Sequence, residues 1–311
     1  MKKTYLITGG AGFIGSAIAR QLIKKGNKVI VLDNFLTGIR KNIPAGAKFV
    51  YFNIADEKEY AKLKNFKIDV VMHLAAQSSG EISFDNPVFD LDVNLRGTVL
   101  LLDWCLKKGV RRFIYASSMA VYGENKRKPL KESGVLNPLS YYGINKLACE
   151  HYIKLYAKRG IDFTNLRMFN VYGSGQNIEN TRQGMASIYL YYILKNRPII
   201  VKGSRNRFRD FIYIDDVVEC WVKTVNNKKT YGKTYNLGTG RKTTVEELLQ
   251  GLIKSSGYKK YPVVFRGSTP GDIFGSYANI DLIKKDLGWN PRTKIYEGLK
   301  KMVMFYLKNG D

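Results

Sequence analysis

The sequence predicts an α/β protein of the Rossmann type, a doubly wound parallel sheet with a smaller C-terminal α/β lobe. Three observations predict it. Short β-branched runs alternate with helix-length stretches through the first half of the chain, the pattern of a parallel sheet covered by helices. Four glycines, Gly9, Gly10, Gly12 and Gly15, follow the first apolar run. After Gly173 the rhythm changes to a polar stretch and then a new set of short elements.

The strands expected are 5–8, 28–33, 48–52, 70–74, 112–117 and 163–167. Between them lie helices 14–25, 93–108 and 141–159, each followed by a stop glycine, Gly26, Gly109 and Gly160, because glycine takes the left-handed conformation that ends a helix. Farther on, 199–202 is strand-like, and Thr244 with Glu247 spells a capping box for another helix. The expected division puts 1–173 and about 206–240 in the sheet domain, and 174–205 with 241–311 in a lobe over the carboxyl ends of the strands, where open α/β sheets bind ligands.

A chain of 311 residues that is 45% hydrophobic buries a large core, which excludes a disordered protein. The net charge of +25 raises the question of nucleic acid. However, the lysines are dispersed, and doublets such as Lys24-Lys25, Lys107-Lys108 and Lys259-Lys260 fall near expected helix ends, where cations are favoured or simply solvated. The composition therefore describes a solvated basic surface rather than a nucleic-acid groove, with a field that attracts anionic ligands. The start, Met1-Lys2-Lys3 leading into residues 4–8, is too short for a signal peptide, and no segment reaches membrane-spanning length. A soluble, cytoplasmic protein with no membrane partner is expected. Cys105, Cys149 and Cys220 are odd in number and far apart, and His73 and His151 are the only histidines. Neither a disulfide framework nor a metal site is suggested.

Helix 93–108 is apolar nearly all round, and the 141–158 stretch is similar, with Leu147, Ala148, Tyr152, Ile153, Leu155 and Tyr156. Such helices are buried on more than one side. If the sheet covers one side, a second subunit covers the other, which predicts a homodimer through a helix bundle.

The stretch Thr8-Gly9-Gly10-Ala11-Gly12-Phe13-Ile14-Gly15 stands between the first strand and the first helix. Glycines there permit a tight turn, approach of backbone to a pyrophosphate, and close packing of helix on strand. The helix N-terminus beyond supplies N–H donors and a positive dipole end. The second strand ends at Asp33, followed by Asn34. A carboxylate there accepts from adenosine ribose hydroxyls and repels a 2′-phosphate, so NAD is the cofactor expected.

Tyr142 and Lys146 are four residues apart near a helix start that Ser140 can cap, and so share one helix face. A free phenol has a pKa of roughly 10. A nearby ammonium and a cationic nicotinamide favour the phenolate, which makes Tyr142 a general base. At the end of the fifth strand, Ser117-Ser118-Met119-Ala120 puts a serine at the carboxyl edge of the sheet.

Taken together, these motifs resemble the extended short-chain dehydrogenases/reductases, particularly their nucleotide-sugar epimerase and dehydratase branch. The resemblance runs from about Lys3 to Trp289. It includes His73-Leu74-Ala75-Ala76-Gln77, Leu166 to Gly173, Arg209 to Val217, and Pro270-Gly271-Asp272. It implies Ser118, Tyr142 and Lys146 as the catalytic triad. A cofactor cleft lined by Gly9, Gly12, Phe13, Ile14, Gly15, Asp33 and Asn34 is extended by Asn53, Ile54, Leu74, Ala75, Ala76 and Asn94. Asn53 stands where the family usually has an aspartate for the adenine amino group, a bond that the amide oxygen can also accept. Asn170 and Arg209 are implied for the diphosphate of a sugar nucleotide, with Asp272 and Ser276 also on the substrate.

Related 4,6-dehydratases carry an Asp-Glu pair after the catalytic Ser/Thr, and related decarboxylases a glutamate. Met119 and Ala120 can transfer no proton, so elimination loses its acid and base. Reversible hydride transfer remains, which suits epimerisation at C4 of a UDP-sugar. In similar epimerases a tyrosine at the place of Ser276 excludes N-acetylated sugars, and the small serine permits them. Thr269 stands where many relatives carry an arginine, for which Arg205, Arg207 and Arg266 are the candidate substitutes. Glu81 falls in a segment that usually lines the sugar pocket. A reductase, a C2 or C5 epimerase, or a non-catalytic dinucleotide-sensing or RNA-binding relative remain the alternatives, the last typically lacking the tyrosine or lysine that this chain keeps.

Overall fold

The computed structural model describes residues 2–126, 128–268 and 273–309. Strands β1 (Thr4–Thr8), β2 (Lys28–Asp33), β3 (Lys48–Tyr51), β4 (Val70–His73), β5 (Arg112–Ser118) and β6 (Asp162–Met168) agree with the expected runs to within a few residues. A further strand, Lys233–Leu237, completes a seven-stranded sheet. From one edge the order is β3, β2, β1, β4, β5, β6 and Lys233–Leu237, every pairing parallel. The direction of winding reverses between β1 and β4, so the loops after these two strands part and leave a crevice at their carboxyl ends.

Alternation along the strands explains why the sheet is covered on both faces. Tyr5 and Ile7 of β1 with Val29 and Val31 of β2 join a core shared with helix α1 (Phe13–Lys24). Leu6, Ile30 and Leu32 point the other way, into a core with Leu101, Leu102, Cys149 and Ile153. Successive side chains of a strand face opposite sides, so one apolar run feeds two cores, as buried parallel strands require. The first core continues without a break into the C-terminal part, through Leu190, Ile199, Leu248, Leu299 and Met302.

Helices α2 (Gly80–Asp85), α3 (Pro87–Leu91) and α4 (Gly97–Lys107) follow β4, and α5 (Tyr141–Ala157) follows β5. The single helix expected at 93–108 is instead a π turn, Asp92–Arg96, leading into α4. Such turns insert a residue and often mark functional sites. Ser140 Oγ accepts the Gly143 N–H at 3.1 Å as the cap of α5, and the Thr244–Glu247 capping box is present. Both follow from the residue types at those spacings. The α5 helix leaves apolar side chains uncovered: Tyr141, Ile144, Tyr152 and Leu155 are exposed. Cys105, Cys149 and Cys220 are buried free thiols. Among the described residues, no helix is long and apolar enough to cross a membrane, and no group of three or more His, Cys, Asp or Glu is placed to hold a metal.

Candidate active site

Two cavities meet at the carboxyl edge of the sheet. Gly9, Gly12, Phe13, Ile14, Gly15, Asp33, Asn34, Asn53, Ile54, Leu74, Ala75, Ala76, Tyr142 and Lys146 line the first. Ser118, Asn170 and Arg209 line the second, and Tyr142 belongs to both.

The first cavity is shaped by close approach. Gly9 sits at φ +69°, and a Cβ there would lie 2.7 Å from Ala75 N. A Cβ on Gly15 would lie 2.3 Å from Gly9 O, so neither position accepts any other residue without backbone movement. Helix α1 begins at Gly12 with no side-chain cap and no acidic residue in its first turn. Its first N–H groups and dipole are therefore left for an external anion. Asp33 accepts the N–H groups of Ala11 at 2.9 Å and Phe35 at 2.8 Å. Burial raises its pKa, while those backbone donors work in the opposite direction. Gly38 packs on the same carboxylate, where a Cβ would lie 2.7 Å from Oδ1. Asn53 Oδ1 accepts from Ala55 N at 3.1 Å, which leaves that oxygen one further lone pair.

The strand end positions the catalytic candidates. β5 finishes at Ser118, whose Oγ accepts the Ala120 N–H at 3.1 Å. The Ser118 hydroxyl stands beside the Tyr142 phenol and acts to lower its pKa. Lys146 is 2% exposed, donates to Ala116 O at 3.0 Å and lies 5.7 Å from the Tyr142 ring centre. Burial pushes the phenol up to about 12, with Ser118 opposing, and brings the lysine down to about 8. The expected help from the lysine ammonium and a cationic nicotinamide is thus set against the cost of removing the phenol from water.

Other expected residues fall differently. Asn94 is buried but is not on the cavity wall, where Val93 stands instead; its amide is turned to Gln77 O and Asp90. Ser276 is fully buried behind the wall, donating to Met119 Sδ at 3.3 Å. Asp272 and Thr269 lie outside the described residues. Arg209 is 5% exposed, and its guanidinium donates to the carbonyls of Phe208, Ile273 and Phe274. Burial first and neighbouring Arg207 second bring it to about 10, so it is charged at neutral pH. Arg205, Arg207 and Arg266 are not on the second wall, whereas Glu81 is, paired with Lys202 at 2.9 Å.

Sequence reading missed Thr37, Gly38, Asn42, Ser78, Gln176, Asn177, Asn180 and Gln183, which also line the first cavity. Most come from loops without a periodic signal; only Gly38, five residues after Asp33, offered a cue. His73, by contrast, is structural: its nitrogens meet Thr8 Oγ1 at 2.7 Å and Thr98 Oγ1 at 2.8 Å.

Residues 5–238 match the model of the NAD dependent epimerase/dehydratase family. The chain belongs to this family. A UDP-glucose 4-epimerase of Mycolicibacterium smegmatis is 33% identical, with 97% of each chain covered. The crystal structure of a UDP-glucose 4-epimerase from Thermotoga maritima with UDP-glucose superposes with a TM-score of 0.95 at 35% identity, covering 99% of this chain and 100% of that one. A UDP-N-acetylglucosamine 4-epimerase from Methanobrevibacter ruminantium, in complex with UDP-N-acetylmuramic acid, gives 0.91 at 30% identity, covering 99% of each.

The residues present fit the NAD of this epimerase/dehydratase family. The uncapped start of α1 suits a pyrophosphate, the Asp33 carboxylate suits ribose hydroxyls, and the glycines keep that path clear of side chains.

Proposed function

We propose that this chain catalyses NAD-dependent epimerisation at C4 of a UDP-sugar, with Ser118, Tyr142 and Lys146 as its catalytic residues. The observation that carries the reading is the place of Tyr142, on the wall common to both cavities, with Ser118 lining the second of them and Lys146 on the same helix face. Bound NAD supplies a reversible hydride acceptor and, when oxidised, a positive charge beside the phenol. Tyr142 takes the proton of the C4 hydroxyl and later returns it, Ser118 bridges phenol and sugar, and Lys146 orients the ribose.

Inversion requires the keto sugar to present its other face. The second cavity suits this motion, because the apolar side chains of Met119, Ala120, Met185 and Phe211 on its lining offer a sugar hydroxyl no strong hydrogen bond. Asn170 and Arg209 anchor the diphosphate, as arginine's fork suits phosphate oxygens. Asp272 and Ser276 complete the substrate set, Ser276 acting through Met119. Residues 1–173 and about 206–240 form the cofactor domain, and 174–205 with 241–311 the substrate lobe.

The protein works as a cytoplasmic homodimer. Tyr141, Ile144, Ala148, Tyr152 and Leu155 recur every three or four residues along α5, a continuous apolar seam. Beside it stand Phe84, Val88 and Leu91, all exposed, with Phe84 packed edge-on to Tyr141 at 5.5 Å. Buried free thiols suit a reducing compartment.

The decisive experiment incubates the protein separately with UDP-glucose, UDP-N-acetylglucosamine and UDP-glucuronate and resolves products by NMR. A C4 epimer formed without net consumption of added NADH is expected. Net reduction, or loss of water, overturns the proposal.

A further inference from the structure

Asp90, on α3, is fully buried outside the wall of either cavity, and its carboxylate accepts from three neutral amides. Gln77 Nε2 lies at 2.6 Å and Asn94 Nδ2 at 3.0 Å from Oδ1, and Asn145 Nδ2 at 2.7 Å from Oδ2. Two acceptor oxygens facing three donors suit a carboxylate and frustrate an amide.

Each donor belongs to a different part of the site. Asn145 stands on α5 between Tyr142 and Lys146. Gln77 braces the turn after β4: it accepts the Ser79 N–H at 2.7 Å and donates to Ser79 O at 2.8 Å, and the flanking Ser78 and Gly80 line the substrate cavity. Asn94 is in the π turn and also donates to Gln77 O at 2.9 Å. One carboxylate thus ties the triad helix to the cavity wall.

The charge matters as well, because Lys146 is packed among neighbours that cannot balance it. From β5 comes Tyr115, its ring centre 4.9 Å from the ammonium, with its phenol raised well above the ordinary value by burial. β4 contributes His73, pushed down to about 3 by burial and then by Lys146 itself, hence neutral. On α5 the thiol of Cys149 is raised by burial and Tyr142 is raised to about 12. Glu150 is already committed to Arg167 at 2.7 Å. Burial lowers the Lys146 pKa, and Cys149 from its own helix and then Asp90 from α3 oppose that lowering.

We infer that Asp90 is a positioning residue for the Tyr142–Lys146 pair: its carboxylate, bonded to Asn145 between them, orients the helix that carries both and sets a buried negative charge against it. The inference rests on the epimerase reading for its effect on rate, but its effect on Lys146 is measurable without turnover.

The test combines pH–rate profiles with NMR titration of Lys146 in protein labelled with 13Cε-lysine. In Asp90→Asn, turnover falls about 10- to 100-fold, as expected for misplaced reacting groups. Both limbs of the rate profile move to lower pH, and Lys146 titrates lower than in the wild type, because removal of an anion makes both the phenol and the ammonium more acidic. Asn145→Ala lowers the rate without moving either limb, and Asp90→Glu keeps the lysine titration in place. An unmoved Lys146 titration in Asp90→Asn overturns the inference. If that variant does not fold, a displaced titration in Asp90→Glu or an undiminished rate in Asn145→Ala overturns it. Should the wild type turn over no UDP-sugar, the function fails while the titrations still decide the role of Asp90.

Discussion

The carboxylate of Asp33 accepts the Ala11 N–H at 2.9 Å, so the end of β2 is fastened to the glycine turn alongside which it works. Asp33→Asn replaces a charged acceptor by a neutral one. Loss of charge-assisted bonds costs about 1.5–3 kcal/mol, and NAD affinity measured by calorimetry is expected to fall about 10- to 100-fold. Because burial raises the pKa of this carboxyl, wild-type affinity should also weaken as acid pH protonates it.

Tyr142→Phe removes the proton carrier while preserving the ring. Turnover measured by NMR of the product sugar is expected to drop by about 10²- to 10⁴-fold, with NAD binding retained. Full turnover in this variant would sink the assignment of the general base.

Lys146→Met should separate stability from activity. The wild-type ammonium titrates at about 8 in the fold against an ordinary 10.5. Below about 8 both folded and unfolded chains hold the proton, and the fold bears the whole penalty of burying it, about 3 kcal/mol. Between about 8 and 10.5 only the unfolded chain keeps the proton, so wild-type stability rises with pH across that window. The methionine variant is expected to melt higher than wild type near pH 7 by calorimetry, to lack that rise, and to be catalytically crippled.

Gly15→Ala places a methyl 2.3 Å from Gly9 O. Helix and turn must separate, so we expect a lower Tm and severe loss of NAD binding, both readable by thermal melts with and without the nucleotide. An unchanged melt would show that the turn yields cheaply.

Leu155 is 57% exposed and Ile144 50% exposed on the α5 seam. By analytical ultracentrifugation the wild type is expected to sediment as a dimer and the double variant Ile144→Glu, Leu155→Glu as a monomer.

Much of this architecture was legible because short-range rules dominate it. β-branched runs became strands in register, and Gly12, Ser140 and Thr244 start helices where residue type and spacing require. Tyr142 and Lys146 came together because four residues of helix bring them to one face. What escaped depends on distant partners. The π turn that breaks the expected 93–108 helix has no periodic signature, and it leaves Asn94 facing Asp90 rather than the cleft. Ser276 stands behind Met119 through a contact between residues far apart in the sequence, and Gln176 and Gln183 reach the dinucleotide cavity from a loop of no regular pattern. The burial of Tyr142, which raises its pKa, is a tertiary quantity that no spacing in the sequence reports.

Gly12 gives the opening turn of α1 no side-chain oxygen of its own, and this shapes how the protein must be handled. An anion bound there finishes a helix as well as serving chemistry, so the dinucleotide becomes a piece of the scaffold. Preparations that differ in how much nucleotide they retain should then differ in melting point, protease resistance and shelf life before any turnover is assayed.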